Sequence, residues 1–410
     1  VPITKTGRTR IIAFLVGLGF AILFAEIAGR FLGLLPVRSS ESYIKLTREV
    51  GHLPAPFSNS RFSEPGEFDT KLHFNAMGFR DQNIDFPNSN GKKILAVGDS
   101  FVTAWEVEVD QRWTEQMHRF RSDWNILNVG MRNWGTDQTY LNLVHYPIRK
   151  QPDIVLLMFF VGNDVSDNYR PGILKSPWDA PHFLPKTSRV SSFSELQKVP
   201  WSGYKDPFDE PEKFSFPRNI NSWLRLHSVV YRAIDLTRQF IQERAGNRFR
   251  KSSKPDNSDQ PRLTWGVFNT ADDPPEWRTA WEITEILLRE MKSVCEKRNT
   301  QFMIVISPYA PLIEPNEQAK RKGLLDQSKY DLEKPAKRLI QFGKDNQIPV
   351  LDLAPGLMEY RQSNSSERLL FFPIDGHFTP LGNCVVASLI VNWIDPQSNA
   401  DVKQCSGIQH

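Results

Sequence analysis

Apolar and polar positions divide this chain into three regimes. From Ile11 to Ala25 every residue is apolar or glycine, and the run continues to Leu35 with only Glu26 and Arg30 charged. As a helix that run is roughly 37 Å long at 1.5 Å per residue, enough to cross a hydrocarbon core of about 30 Å. The pattern predicts one N-terminal transmembrane helix within residues 1–36, with Glu26 and Arg30 paired at i,i+4 on one face. Lys5, Arg8 and Arg10 precede it, which keeps the amino end cytoplasmic and places the rest of the chain in the periplasm or outside the cell. A cleaved signal peptide whose apolar region ends near Ala25 is the alternative, and it exports the same domain.

Residues 37–90 are polar and interrupted by Pro54, Pro56, Pro65 and Pro87. They read as a loop-rich stalk and lead-in that packs on the main domain. From Lys92 the pattern alternates between short apolar runs and segments of helical period. "ILAVG", "WNILNVG", "DIVLLMFFVG", "QFMIVISP", "IPVLDLAP" and "LLFF" are predicted strands; "RWTEQMHRFR", "TDQTYLNLVHYPIRK", "EWRTAWEITEILLREMKSVCEKR", "LEKPAKRLIQFGKDNQ" and "PLGNCVVASLIVNWI" are predicted helices. Strands apolar on both faces and alternating with helices require a sheet covered on both sides. The expectation is an α/β domain over 91–396, with a doubly wound, mostly parallel sheet flanked by helices in three layers. A long insertion interrupts it at about 165–275, of which "RAGNRFRKSSKPDNSDQPRL" reads as a mobile loop, and a tail closes the chain over 397–410.

Composition narrows the function. The chain has 410 residues, 40% of them hydrophobic, and a net charge of only +4, with no basic run interleaved with aromatics. Nucleic acid is therefore not expected as a partner. Cys295, Cys384 and Cys405 are widely spaced and suggest neither a zinc site nor a disulfide framework, although one pair remains free to bond in an oxidising compartment. No GxGxxG, P-loop or HExxH pattern is present, so no cofactor or metal is expected.

In doubly wound sheets ligands gather at the carboxyl ends of strands. Four such ends carry candidate chemistry. "GDS" ends the first strand and exposes Ser100, although Asp99 or Ser100 capping the next helix explains the same residues. Gly130 ends the second strand, where a glycine serves either as a turn residue or to let a backbone N–H approach a ligand. Asn163 follows the third strand, as a turn former or as an amide donor. Asp375 and His377 flank Gly376 before the last helix. A hydrolytic serine needs a base for its proton and a carboxylate to hold that base, and Ser100, His377 and Asp375 supply each role once.

"GDS", Gly130, "GND" and "DGH", in that order, resemble the four blocks of the SGNH (GDSL-type) hydrolase superfamily. The resemblance covers about residues 74–396, including "FNAMGFRD", and the anchor with "GFRD", "GDSF" and "GTDQ" looks most like its membrane-anchored, exported branch. It implies Ser100 as nucleophile, the Ser100 N–H, Gly130 N–H and Asn163 amide as oxyanion donors, His377 as general base and Asp375 as its orienting partner. Two blocks differ from the usual pattern. Val161 stands at the first Gly of Gly-x-Asn-Asp, and Asp-x-x-His is shortened to Asp375-Gly376-His377. The shorter spacing implies that Asp375 shares its orienting role with a backbone carbonyl.

The resemblance therefore implies an exported serine esterase or O-acyltransferase, tethered to the membrane by its N-terminal helix. An ester on a cell-envelope carbohydrate, such as an acetylated polysaccharide, is the expected substrate. A non-catalytic SGNH-fold binding or assembly protein and a lipid-directed, lysophospholipase-like esterase remain open. Trp105, Trp113, Trp134, Trp178 and Trp201 are candidates for stacking on sugars, with core packing the commoner role for such residues.

Overall fold

The computed structural model describes residues 5–31, 44–47, 49–64, 66–87, 90–146, 150–169, 180–199, 228, 230–231, 265–316, 319–320, 323–364 and 368–407. They belong to two compact units, one made of residues 1–42 and 208–258, the other of 43–207 and 259–410.

In the first unit the apolar run forms helix α1, Lys5–Phe31. Phe14, Phe20 and Phe24 are 70%, 69% and 74% exposed. Even so, among the described residues no helix is long and apolar enough to cross a membrane, and the expected transmembrane span is not borne out. The described side chains of α1 run only from Ala13 to Gly29 without Leu15. Within that stretch Glu26 is engaged by protein, accepting from the Ser228 hydroxyl at 2.9 Å and the Val230 N–H at 3.1 Å. The expected partner Arg30 and the loop "RAGNRFRKSSKPDNSDQPRL" lie outside the described side chains and residues.

The second unit opens with two antiparallel hairpins where the proline pattern suggested only loops. They are β1 (Ile44–Thr47) with β2 (Gly51–Pro54), and β3 (Asn59–Glu64) with β4 (Phe68–His73). Proline terminates a strand here and does not prevent it, since Pro54 closes β2.

The main sheet is built as the apolar runs predict. Its strands are β5 (Lys93–Gly98), β6 (Asn125–Asn128), β7 (Ile154–Phe160), β10 (Gln301–Ser307) and β11 (Val350–Asp352), in the order β11-β10-β7-β5-β6 and all parallel. A small hairpin, β8 (His182–Pro185) with β9 (Leu196–Val199), lies within the insertion between β7 and β10. Side chains alternate across the sheet. Leu95 and Val97 of β5 join one core with Leu141, Trp281 and Leu339, while Ile94 and Ala96 join a second with Met117, Leu357 and Val386. These partners sit on helices Thr136–His145, Pro275–Lys297 and Lys334–Asn346 on one face, and Trp113–Phe120, Leu353–Ser363 and Pro380–Ile394 on the other. That gives the expected three layers.

Two local expectations need correction. "LLFF" adds no sheet strand; it makes one antiparallel bridge, Phe371 with Phe378, because the Phe372 and Thr379 N–H groups donate within the same turn, to His377 and Leu370 carbonyls. "LDLAP" also leaves the sheet early, as Asp352 caps a helix over Leu353–Ser363 by accepting from the Ala354 N–H.

Cys384, in the last helix, is bonded to Cys405 in the tail, 21 residues on, while Cys295 is free and buried. Closing a loop of that length restricts the unfolded chain by about 3 kcal/mol. Cys405→Ser is therefore expected to lower the unfolding free energy by roughly that amount in a urea titration, and reductant should have the same effect on the unsubstituted protein but none on the variant.

Candidate active site

Ser100 is aimed by the end of β5. Gly98 has φ +145°, and a Cβ there would come within 2.6 Å of the Met158 carbonyl oxygen and 2.8 Å of Val102 Cγ2. Only glycine lets the strand turn so close to its neighbours. Asp99 then caps the short helix Ser100–Thr103, its carboxylate accepting from the Phe101 N–H at 2.9 Å. The capping explanation thus holds for Asp99, whose other carboxylate oxygen lies a long 3.4 Å from the Ser100 hydroxyl, and a second acceptor stands closer to that hydroxyl. That acceptor is His377: Oγ donates to Nε2 at 2.8 Å. On the other side of the ring, Nδ1–H donates to Asp375 Oδ1 at 2.5 Å. Ser100 and His377 lie 277 residues apart in sequence.

The expected oxyanion donors occupy the neighbouring strand ends, since β5 lies between β6 and β7. Gly130 lies against the Ser100 turn, where a Cβ would meet Val102 Cβ at 2.4 Å and the Asp99 carbonyl at 3.1 Å. Its N–H donates to Asn128 Oδ1 over a long 3.3 Å. The Asn163 side-chain amide donates to Asp167 Oδ2 at 3.0 Å, which spends one of its two N–H bonds and fixes the plane of the other. Val161, at the divergent position, is buried and its N–H donates to the Ser307 carbonyl, so the loop is held to β10.

Several residues around this cluster were not anticipated. Glu106 is 1% exposed and places Oε1 3.5 Å from His377 Nδ1. Arg132 bonds the same Oε1 and lies over the Phe62 and Trp105 rings, at 4.7 and 5.4 Å from their centroids. A second carboxylate thus stands beside the imidazole in addition to Asp375. Glu67, between β3 and β4, accepts from the N–H groups of Ile374 at 2.6 Å and Asp375 at 2.9 Å, so the lead-in anchors the turn that carries the acid and base. From "GFRD", Arg80 holds the carbonyls of Ala104 and Val107 on either side of Glu106, and Asp81 accepts from the Asn128 N–H at 2.8 Å. Trp105, Trp113 and Trp134 are buried, which removes them as sugar platforms; Trp178 and Trp201 lie outside the described residues.

Charge is concentrated here. Burial pushes the Asp99 carboxyl up to about 6, and burial followed by repulsion from Asp99 drives Asp164 well above the ordinary carboxyl range. His377 feels opposed influences. Burial disfavours its cation, but the charges of Glu106 and then Asp375, with the Asp375 hydrogen bond, outweigh that and raise its pKa. Asp375 is lowered in spite of burial, held as the anion by His377 and, farther off, by Arg132. Among the described residues, Glu106, Asp375 and His377 bring three ligand atoms within 4.8 Å of one another. Within this trio the imidazole pairs with Asp375 through Nδ1 and with Ser100 through Nε2, while Glu106 stands 3.5 Å from Nδ1 as a neighbouring charge.

No family model and no curated protein matches the chain. Solved structures do. An acetyl xylan esterase, AlAXEase, is 12% identical over 74% of this chain and 99% of its own, with a TM-score of 0.36. A member of the lipolytic G-D-S-L family from Veillonella parvula DSM 2008 is 11% identical over 75% and 100%, with a TM-score of 0.35. A lipolytic G-D-S-L protein from Desulfitobacterium hafniense DCB-2 is 12% identical over 74% and 99%, with a TM-score of 0.36. Two of these three are described as lipolytic proteins of the G-D-S-L family and one as an acetyl xylan esterase. Likenesses this distant carry no argument about substrate or mechanism, which rest on the residues themselves.

Proposed function

We propose that this chain is a serine esterase of the SGNH type, working through an acyl-Ser100 intermediate. The observation that carries the reading is the unbroken relay from Ser100 Oγ to His377 Nε2 at 2.8 Å and from Nδ1 to Asp375 at 2.5 Å. In the first half-reaction His377 takes the hydroxyl proton while Oγ bonds to the ester carbonyl carbon. The resulting oxyanion is received by N–H groups at Ser100, Gly130 and Asn163. Collapse of the tetrahedral intermediate breaks the bond to the alkoxide, which leaves with the proton from His377. In the second half-reaction water, or a sugar hydroxyl in an O-acyltransferase, repeats the sequence and frees Ser100.

The domain is read as exported. Support comes from the basic residues that open α1 ahead of its apolar run, and from a disulfide of the kind that persists in oxidising compartments. An acetyl ester of an envelope carbohydrate is the substrate that suits this location. A fluorophosphonate probe is expected to add once to the full chain and not to Ser100→Ala, read by intact mass; no adduct on the folded protein would favour a binding role. Relative turnover of acetyl and long-chain esters then tests the acyl group, and a strong long-chain preference replaces the acetyl reading with a lipid-directed one.

Asn163→Ala is expected to lower turnover by about 10² to 10³, the usual cost of one oxyanion donor. The acyl-enzyme should form more slowly while the melting temperature falls little, since Ala loses only the Asp167 bond at this position. Unchanged turnover removes Asn163 from the oxyanion site.

A further inference from the structure

We propose that Glu106 is a second carboxylate for the catalytic imidazole, a positioning residue that shares with Asp375 the task of holding His377 and stabilising its cation, with Arg132 setting how much of its charge the ring feels. The proposal rests on the esterase reading and extends it to a residue that no sequence block contains.

The geometry is specific. Asp375 reaches Nδ1 from a turn only two residues away, with Gly376 at φ +88° between acid and base and no neighbouring atom within 4 Å of its Cβ position. That turn is open beside Gly376 and is anchored through its backbone, the Ile374 and Asp375 N–H groups donating to Glu67. Glu106 approaches the same nitrogen from the segment just after the nucleophile helix, at 3.5 Å, and is rigidly framed. Arg80 grips the carbonyls of Ala104 and Val107, Thr70 Oγ1 donates to the Trp105 carbonyl at 2.5 Å, and Ala104 adopts φ +46° to make the bend. Its Oε1 bonds Arg132, and its Oε2 is buried with no hydrogen-bond partner among the described residues. Burying a carboxylate oxygen without a hydrogen bond is costly. Such a cost is tolerated where the charge has work to do, and the group this carboxylate faces is the base that becomes positive when Ser100 gives up its proton.

The charged and titratable groups around His377 are Asp99, Glu106, Arg132 and Asp375, together with its partner Ser100. Asp375 and Glu106 favour the imidazolium and Arg132 opposes it. As general base His377 must be neutral in the free enzyme, so the acid limb of kcat/KM reports its pKa. Removing a neighbouring anion moves that limb to lower pH, and removing the cation moves it to higher pH.

The test is the pH dependence of kcat/KM for an acetyl ester on the full chain, comparing the unsubstituted protein with Glu106→Gln, Glu106→Asp and Arg132→Met. Glu106→Gln is expected to shift the acid limb down by about one pH unit and to lower the plateau kcat about 10-fold, with KM little changed. Arg132→Met should shift the limb up, and Glu106→Asp, which keeps the charge, should leave it near its original position. Opposite shifts from the two substitutions are a signature that loosened packing does not produce. If Glu106→Gln fails to fold, the upward shift in Arg132→Met, combined with a retained limb in Glu106→Asp, supports the proposal on its own. An unmoved limb in folded Glu106→Gln, or shifts of the same sign in the Gln and Met variants, overturns it while leaving the esterase reading intact. Absence of Ser100-dependent turnover in the unsubstituted chain overturns the esterase reading instead.

Discussion

Ser100→Ala is expected to lower ester turnover by about 10⁶, leaving only the acceleration that oxyanion donors and substrate binding supply without a nucleophile. The size follows from the geometry. The Ser100 hydroxyl is the group that donates to His377 Nε2, and removing it leaves the base with no proton to take. The fold should survive. Asp99 still caps the following helix through the Phe101 N–H, and the Thr103 hydroxyl still bonds the carbonyl of residue 100. The check is kcat for an acetyl ester beside a thermal melt. Turnover above about 1% in a variant that melts normally would assign the chemistry to another residue, because a loss that small is ordinary for a positioning group and far too small for a missing nucleophile.

How much of this was legible in the sequence depended on the range of the interactions. The sheet was readable because β5, β7 and β10 are apolar on both faces, a local property that no partner need reveal. The start of the helix Pro380–Ile394 followed from a local signal as well, Thr379, whose hydroxyl accepts from the Gly382 N–H before Pro380 opens the first turn. The hairpins β1–β2 and β3–β4 were hidden because their strands are short, polar on one face and bounded by proline, so the pattern matched loops equally well. "LLFF" misled for the opposite reason, since an apolar run predicts burial without saying whether the backbone pairs with a sheet or with its own turn.

The site divides along the same line. Ser100, Gly130, Asn163, Asp375 and His377 sit next to turn residues with a recognisable order, and their convergence follows once parallel strands are assumed. Glu106 has no such marker. It comes after a buried tryptophan in a segment that reads as ordinary, and its meaning lies in His377, which sequence distance conceals. Glu67 is hidden likewise, since its contacts are to the backbone of Ile374 and Asp375. Residues that act through another residue leave no local pattern of their own.

His377→Ala and Asp375→Asn should therefore differ by more than they do where a base has one acid behind it. Loss of the imidazole removes the proton acceptor and should cost about 10⁶, as much as loss of the nucleophile, because the two act as one unit. Replacing a lone orienting aspartate in a serine hydrolase costs about 10⁴ through the wrong tautomer and an unstabilised cation. Here Glu106, 3.5 Å from Nδ1 in the unsubstituted protein, is expected to go on favouring the tautomer with its proton on that nitrogen when Asp375 is changed. Asp375→Asn is accordingly expected to cost only about 10² to 10³ in kcat. Its acid limb should move to lower pH, since Asp375 is one of the charges that raise the pKa of His377. Steady-state kinetics across pH on the two variants would check both statements. A loss in Asp375→Asn as deep as that in His377→Ala would mean that Glu106 cannot hold the ring alone, and that the short Asp-Gly-His turn supplies the whole orientation by itself.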